Sequence, residues 1–324
     1  MGFIENLKKR VKDSGETIRI VYPDGEIETC VRAAAKLKSE GIIEPVILGD
    51  AEKIKKIASD NGLDIEGVRI VNPEKELSED YVNAYYELRK HKGVKPEQAR
   101  ETMKKVNYYG AMMVHKGEAQ GMVCGLTSET KPFIPAFEII KTKEGITRAS
   151  SVFFMVKEDD VKLYADCAMN INPDEKTLAE IGAASGDTAK SFGFEPKIAF
   201  LSFSTYGSAD HEMVDKVKNA TERAKKLRPD YMIDGEMQFD AALLEKVAQK
   251  KCPESKVGGK ANVFIFPELN AGNIAYKITE RLAGYKAIGP VFQGLRKPVN
   301  DLSRGAKPED VADTGYLTAV QSLI

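Results

Sequence analysis

An α/β fold built on largely parallel sheets is the architecture this sequence predicts, and three observations predict it. Short apolar runs rich in β-branched residues alternate with longer stretches that carry apolar residues at helical spacing between charges. Gly or Pro punctuates the joins, as strand–helix–strand crossovers require. The chain has 324 residues, 42% of them hydrophobic and 30% charged, which suits a large core and a length that suggests two compact lobes.

In chain order, MGFIENLKKRVKDSG alternates charged and apolar residues at helical spacing. It lacks the apolar centre of a secretory signal, so a cytoplasmic protein is expected. TIRIVYP at 17–23, TCVRAAAKLKSEG at 29–41 and PVILGD at 45–50 then read as strand, helix and strand. A long helical stretch from about Glu79 to Tyr109 precedes GMVCG at 121–125, a buried strand ending at Gly125. The first lobe is expected to close near Arg148. The run SSVFFMVKEDDVKLYADCAMN at 150–170 changes character, with two β-rich segments flanking the acidic turn from Lys157 to Asp160, a hairpin signal. Alternation resumes with KIAFLSF at 197–203, a helix to about Leu227, NVFIFP at 262–267, GNIAYKITERLAG at 272–284 as a helix, and a last helix from Pro308.

Several function classes lose support. With 48 basic and 49 acidic side chains the net charge is about −1, so no general field for nucleic acid is implied. Mean hydropathy is negative and no apolar run reaches the roughly eighteen residues of a membrane span. Cys30, Cys124, Cys167 and Cys252 lie far apart without a CxxC pair, which signals neither a zinc site nor a disulfide framework and predicts reduced, buried thiols. No GxxxxGK[ST] or GxGxxG stands at a strand-to-helix junction, which argues against nucleotide hydrolysis and ordinary dinucleotide chemistry.

Polar turns after apolar strands are the candidate sites, because an open parallel sheet gathers ligands beyond the carboxyl ends of its strands. One turn holds Ser204, Thr205, Gly207 and Ser208, which could offer several donors to a phosphate or simply cap a helix. Another runs through Asn270 and Asn273 into a helix whose opening N–H groups could face an anion, with capping again the competing role. The most informative runs from Gly289 to Gly305 and is crowded with Gly and Pro, suited to holding Ser303 and Arg304 in place. Asp310 follows in the first turn of the last helix, where spacing alone favours an acid that complements the helix dipole.

The blocks YYELRKHKG at 85–93, GAMMVHKGEAQGMVCG at 110–125, AFLSFSTYGSA at 199–209, DGEMQFDAA at 234–242, NVFIFPELNAGNIAYK at 262–277 and GPVFQGLRKPVNDLSRG at 289–305 carry a resemblance over nearly the whole chain. The sequence resembles the phosphate acetyltransferase and phosphate butyryltransferase family. That resemblance implies two three-layer α/β/α lobes of the isocitrate/isopropylmalate dehydrogenase type. The first would span 1–147 and 290–324, the second 148–289, with the site in the cleft between them. It implies Ser303, Arg304 and Asp310 as the active-site trio and Arg89 as a phosphate or coenzyme A contact. It also implies coenzyme A and acetyl-CoA as substrates rather than bound cofactors, phosphate and acetyl phosphate as the other small-molecule partners, no metal, and a homodimer.

Two positions depart from the family pattern. Ala306 stands where a cysteine often follows the SRG triplet. Between Ser128 and Pro135 the segment is one residue shorter, Ile134 takes the place of an arginine, and Lys131 could supply the anion contact. Acyl transfer to coenzyme A needs a thiolate from a thiol whose ordinary pKa is about 8.5. Asp310 is the expected base, Ser303 would orient the sulfur or donate to the oxyanion, and Arg304 and Arg89 would screen phosphate charge. A seryl acyl-enzyme on Ser303 is the rival route, although His91, His115 and His211 all lie far from it in sequence. A propionyl- or butyryl-specific enzyme, a non-catalytic acetyl-CoA-sensing domain, and a metal-dependent decarboxylating dehydrogenase of the same fold are the alternatives.

Overall fold

The computed structural model describes residues 2–127, 134–144 and 146–323. The chain divides into two compact units, Met1–Lys143 with Leu295–Ile324, and Glu144–Gly294. The first unit opens with α1 (Phe3–Ser14), β1 (Arg19–Tyr22), α2 (Glu28–Glu40), β2 (Glu44–Leu48), α3 (Ala51–Asp60) and β3 (Arg69–Val71). Phe3, Leu7 and Val11 form the single buried stripe of α1, at the i, i+4, i+8 spacing that one helix face provides. The Asp50 side chain accepts from the Glu52 and Lys53 N–H groups and so fixes where α3 begins.

Next come α4 (Glu79–Arg89), α5 (Pro96–Met103), α6 (Val106–Lys116) and β4 (Gly121–Cys124). The one long helix expected from Glu79 to Tyr109 is therefore three. After Arg89 the backbone tightens into a single 3₁₀ turn that ends at Gly93, in the left-handed region at φ 83°. Lys95 is extended, as a residue before proline must be, and Pro96 starts the next helix. Beyond β4 a short π-helical turn covers Ala136–Ile140.

The second unit holds β5 (Ser150–Lys157), β6 (Asp160–Ala165), α7 (Glu175–Ser191), β7 (Lys197–Leu201), α8 (Glu212–Leu227) and β8 (Met232–Met237). It continues through α9 (Phe239–Leu243), α10 (Glu245–Lys251), β9 (Val263–Ile265), α11 (Leu269–Ala283) and β10 (Lys286–Gln293). Its sheet order is β10-β5-β6-β9-β7-β8. β5 and β6 form the expected antiparallel hairpin, closed at Lys157↔Asp160, while β6, β9, β7 and β8 pair parallel. Two strands escaped sequence reading. β8 reads MIDGEM, too polar for an apolar run, and β10 is interrupted by Gly289-Pro290, where its register against β5 shifts. The stretch from Gly289, expected as a loop, thus starts inside a strand, and the second unit ends at Gly294 rather than 289.

The chain then returns to the first unit as β11 (Val299–Asp301) and α12 (Pro308–Ser322). β11 lies parallel to β4 with Val299↔Met122, Asn300↔Val123 and Asp301↔Cys124 in register, completing the order β11-β4-β1-β2-β3. Asn300 Nδ2 donates to Thr318 Oγ1 at 2.8 Å and to Gln321 Oε1 at 2.6 Å, which pins α12 to the strand before it. Residues 311–320 are all buried, so α12 is a core helix enclosed on every side rather than an amphipathic cover. Glu40 ties three helices together, accepting from Tyr316 Oη at 2.6 Å and pairing with Lys8 at 2.8 Å.

Gly315 is where α12 presses on β1, and a β-carbon there would stand 2.1 Å from the buried Tyr22 hydroxyl. Gly315→Ala is expected to destabilise the protein by about 1–3 kcal/mol through overpacking. Urea unfolding should show a lower midpoint at unchanged slope. An unchanged midpoint would mean that the helix withdraws from the strand without cost.

Candidate active site

Three parallel strands of the first unit, β1, β4 and β11, end side by side, and each continues into a polar turn. After β1 comes Asp24, whose Oδ2 accepts from the N–H groups of Gly125 at 2.8 Å and Leu126 at 3.0 Å, both just past β4. Burial raises the Asp24 pKa, while the N–H groups donating to it act in the opposite sense. Gly125 has φ 119°, and a β-carbon on it would meet Asp301 Oδ1 at 2.3 Å and the Leu302 nitrogen at 2.7 Å. Only glycine satisfies both the backbone angle and that approach.

Asp301 closes β11. Its Oδ1 is buried and has no hydrogen-bond partner among the described residues. Burial first, and then the charge of Asp24, push its pKa up to about 7, against the opposing pull of the Leu302 N–H. Two residues later, Ser303 is exposed and its Oγ accepts a long 3.4 Å bond from the Gly305 N–H, while its carbonyl takes the Ala306 N–H at 2.9 Å. Arg304 is exposed and makes no hydrogen bond or ion pair among the described residues. Asp310 is half-buried in the first turn of α12, and its Oδ2 accepts from the Lys307 N–H at 2.9 Å. The helix-start role expected from spacing is real, and the same bond fixes the direction of the carboxylate. One tight turn between β11 and α12 therefore carries the hydroxyl, the guanidinium and the carboxylate.

Arg89, at the end of α4 in the same unit, is half-buried and already engaged. Its Nη2 lies 3.2 Å from Glu138 Oε1, and Tyr85 Oη donates to Glu138 Oε2 at 2.8 Å. Its Nε is buried with no hydrogen-bond partner among the described residues. Tyr108 stands edge-on to Tyr85 with ring centroids 5.7 Å apart, and burial followed by the Glu138 charge raises its pKa to about 12. Lys131 lies outside the described residues, as does all of 128–133. Ile134 is 37% exposed.

In the second unit the two candidate anion turns hold anions of their own. Ser204 Oγ and the Gly207 N–H both donate to Glu236 Oε1, at 2.9 and 2.8 Å, and the Tyr206 N–H goes to the Glu236 carbonyl at 3.2 Å. The Thr205 N–H takes Ser208 Oγ at 3.1 Å, and Thr205 Oγ1 accepts from the Gln238 N–H at 3.0 Å. The turn at 204–208, read as either phosphate donors or a cap, is closed around the buried carboxylate of Glu236. The helix expected from 272 begins earlier, at Leu269, and Glu268 caps it through the Asn270 and Ala271 N–H groups at 2.8 and 2.7 Å. The Leu269 N–H bonds Ile171 O at 3.0 Å, so the first backbone N–H groups of this helix are all engaged. Asn273 donates to the Cys167 carbonyl at 3.0 Å and accepts from Lys277 at 2.9 Å, whereas Asn270 is exposed at the first turn.

Sequence reading missed Asp24, Asp301, Glu138, Glu236 and Glu268. Asp301 carried a usable signal, a charged residue closing an apolar strand beside the SRG triplet. The others sit in stretches that read as turn or helix surface. All four cysteines are buried and unpaired. Among the described residues no helix is long and apolar enough to cross a membrane.

The family model for phosphate acetyl/butaryl transferase matches residues 2–319. A phosphate acetyltransferase of Staphylococcus epidermidis is 48% identical over 319 residues, covering 96% of this chain and 97% of that protein. The solved structure of the EutD phosphotransacetylase from Staphylococcus aureus superposes with a TM-score of 0.91 at 45% identity, over 98% of this chain and 99% of that one. A putative 4-hydroxythreonine-4-phosphate dehydrogenase from Salmonella typhimurium shares only the fold, with a TM-score of 0.55 at 13% identity over 94% of this chain and 99% of that one.

The buried Asp301 makes stability depend on pH. Its carboxyl holds a proton in the folded chain up to about pH 7 but ionises near 3.9 when unfolded, so the native state loses stability as pH rises through that window. Asp301→Asn is expected to gain about 1–3 kcal/mol over the parent at pH 8 and much less at pH 5. Urea unfolding at the two pH values checks this, and an equal gain at both would assign the effect to packing.

Proposed function

This chain belongs to the phosphate acetyl/butaryl transferase family, and from that premise we propose that it moves an acetyl group reversibly between coenzyme A and inorganic phosphate. The observation that carries the mechanism is the turn from Asp301 to Asp310. It holds a hydroxyl, a guanidinium unpaired among the described residues and an oriented carboxylate beyond the carboxyl edge of a parallel sheet.

In this reading Asp310 takes the proton of the coenzyme A thiol, and the thiolate attacks the carbonyl of acetyl phosphate. The sulfur–carbon bond forms, the bond from that carbon to the phosphate oxygen breaks, and phosphate leaves with the electron pair. Ser303 donates to the developing oxyanion or orients the sulfur, and Arg304 and Arg89 bear the phosphate charge. Asn270, exposed at the start of α11, is available to the coenzyme A side, while the closed turn at 204–208 contributes shape rather than free donors. A cytoplasmic setting suits four unpaired buried thiols.

A homodimer is the proposed assembly. Ile274, Ile278 and Leu282 are 56%, 52% and 84% exposed at i, i+4, i+8 along α11, and Ile171 nearby is 75% exposed, an apolar stripe suited to a second copy of the chain. Ile278→Asp is expected to halve the mass measured by light scattering. A dimer that survives both this change and Leu282→Asp would move the interface elsewhere.

The chemistry is tested by thioester formation from coenzyme A with acetyl, propionyl and butyryl phosphate. Acetyl phosphate is expected to be turned over fastest. Ser303→Ala should cost kcat about 10²–10³-fold if the hydroxyl is an oxyanion donor. Asp310→Asn should flatten the acid limb of the pH–rate profile. Wild-type rates in both variants would sink this mechanism, and an acyl group trapped on Ser303 would replace direct attack by an acyl-enzyme.

A further inference from the structure

The reading of Arg89 as a phosphate contact leaves one neighbour unexplained. Glu138 lies in the π-helical turn after β4, half-buried, and it is the sole ion-pair partner of Arg89 among the described residues. Its other oxygen is held by Tyr85, so the carboxylate is anchored on the far side from the guanidinium and cannot simply swing to water. Tyr85 and Tyr108 stand beside Glu138 as phenols, neutral at neutral pH as phenols ordinarily are, and burial pushes both pKa values further up. Around the guanidinium, then, the described residues place one fixed negative charge and two neutral rings. Meanwhile the Nε of Arg89 is buried with no acceptor among the described residues, an edge of the guanidinium that they leave unsatisfied.

An anchored carboxylate on one edge and an orphaned donor on another is a poor arrangement for a purely structural ion pair, which would satisfy the whole fork. It suits a cation whose charge is held in check by one resident anion until a second anion shares the guanidinium. Resting on the assignment of Arg89 to phosphate, we propose that Glu138 is a resident counter-ion that sets the affinity of this site for phosphate and acetyl phosphate. An arriving phosphoryl group must share the guanidinium with a charge of its own sign. Its ground-state hold is therefore weak, and release of phosphate is correspondingly easy. Where Arg89 serves the transferred phosphate and not the phosphates of coenzyme A, Glu138 leaves coenzyme A binding unchanged.

The measurement is steady-state kinetics in both directions on Glu138→Gln, Arg89→Gln and the double variant. Glu138→Gln keeps the side-chain size and an acceptor for Arg89 but removes the charge. Its KM for phosphate and for acetyl phosphate should fall about tenfold, with the KM for coenzyme A unchanged and kcat not increased, a split that loss of packing would not produce. In the Arg89→Gln background the same change should have no effect, because the charges act on each other. Glu138→Asp, which keeps the charge at a greater distance, should fall between the parent and Glu138→Gln, and it decides the matter if the glutamine variant does not fold. A phosphate KM that is unchanged or higher in Glu138→Gln, while Arg89→Gln raises it, would overturn the counter-ion and leave Arg89 in place. A phosphate KM indifferent to Arg89→Gln would instead remove Arg89 from the phosphate site.

Discussion

The carboxylate of Asp24 is the interaction on which the first unit's chemistry rests. Strand ends leave backbone donors without partners, and here two of them, from Gly125 and Leu126, converge on one buried side chain that follows a different strand. That bond holds the end of β4 against the end of β1. Gly125 then has room for nothing but hydrogen where β11 ends, so Asp301 and Leu302 pack directly on its backbone. The turn bearing Ser303 and Arg304 departs from this junction and is caught on its other side by the capping bond of Asp310. The exposed candidate groups are thus held between two constraints, which is how a loop can be both accessible and positioned.

The second unit handles the same problem differently. Its turns after β7 and β9 are as rich in donors as any anion site, yet each is filled by a glutamate of the chain, Glu236 in one and Glu268 in the other. Donor-rich turns call for negative charge whether it comes from a ligand or from the protein, and an internal carboxylate meets that demand without an entropy cost of binding. Glu138 beside Arg89 follows the same logic around a cation.

Much of the architecture could be read from the sequence because its signals are local. The strands at 19–22, 44–48, 121–124 and 197–201 are apolar runs, and the hairpin around Glu158 announced itself by an acidic turn between β-rich segments. What escaped was decided by partners far away. MIDGEM is a strand only because β7 offers it a ladder, and Lys286–Gln293 is one despite Gly289-Pro290 because β5 accepts it with a shifted register. For the candidate site, Ser303, Arg304 and Asp310 are put forward together by the family resemblance, whereas spacing alone makes Asp310 a helix-start acid. The turn at 204–208 stays open between phosphate donors and a cap in the sequence because hydroxyl-rich turns look alike whether open or closed, and the closing residue, Glu236, lies some thirty positions downstream. Asp24 and Asp301 gain their meaning only when three strands meet.

The return of the chain through β11 and α12 bears on how the protein is made. The second unit is one unbroken segment, complete once Gly294 has left the ribosome, whereas the first waits for Leu295–Ile324, which supplies an edge strand and its central helix. At roughly 5–20 residues synthesised per second, the nascent N-terminal portion spends many seconds with the flank of β4 unpaired and the inner faces of α1 and α2 uncovered. The unit that carries the turn from Asp301 to Asp310 is therefore the last to become a folded body. Shortened products of interrupted translation would display open sheet edges and bare apolar helices, the features that chaperones hold and proteases remove.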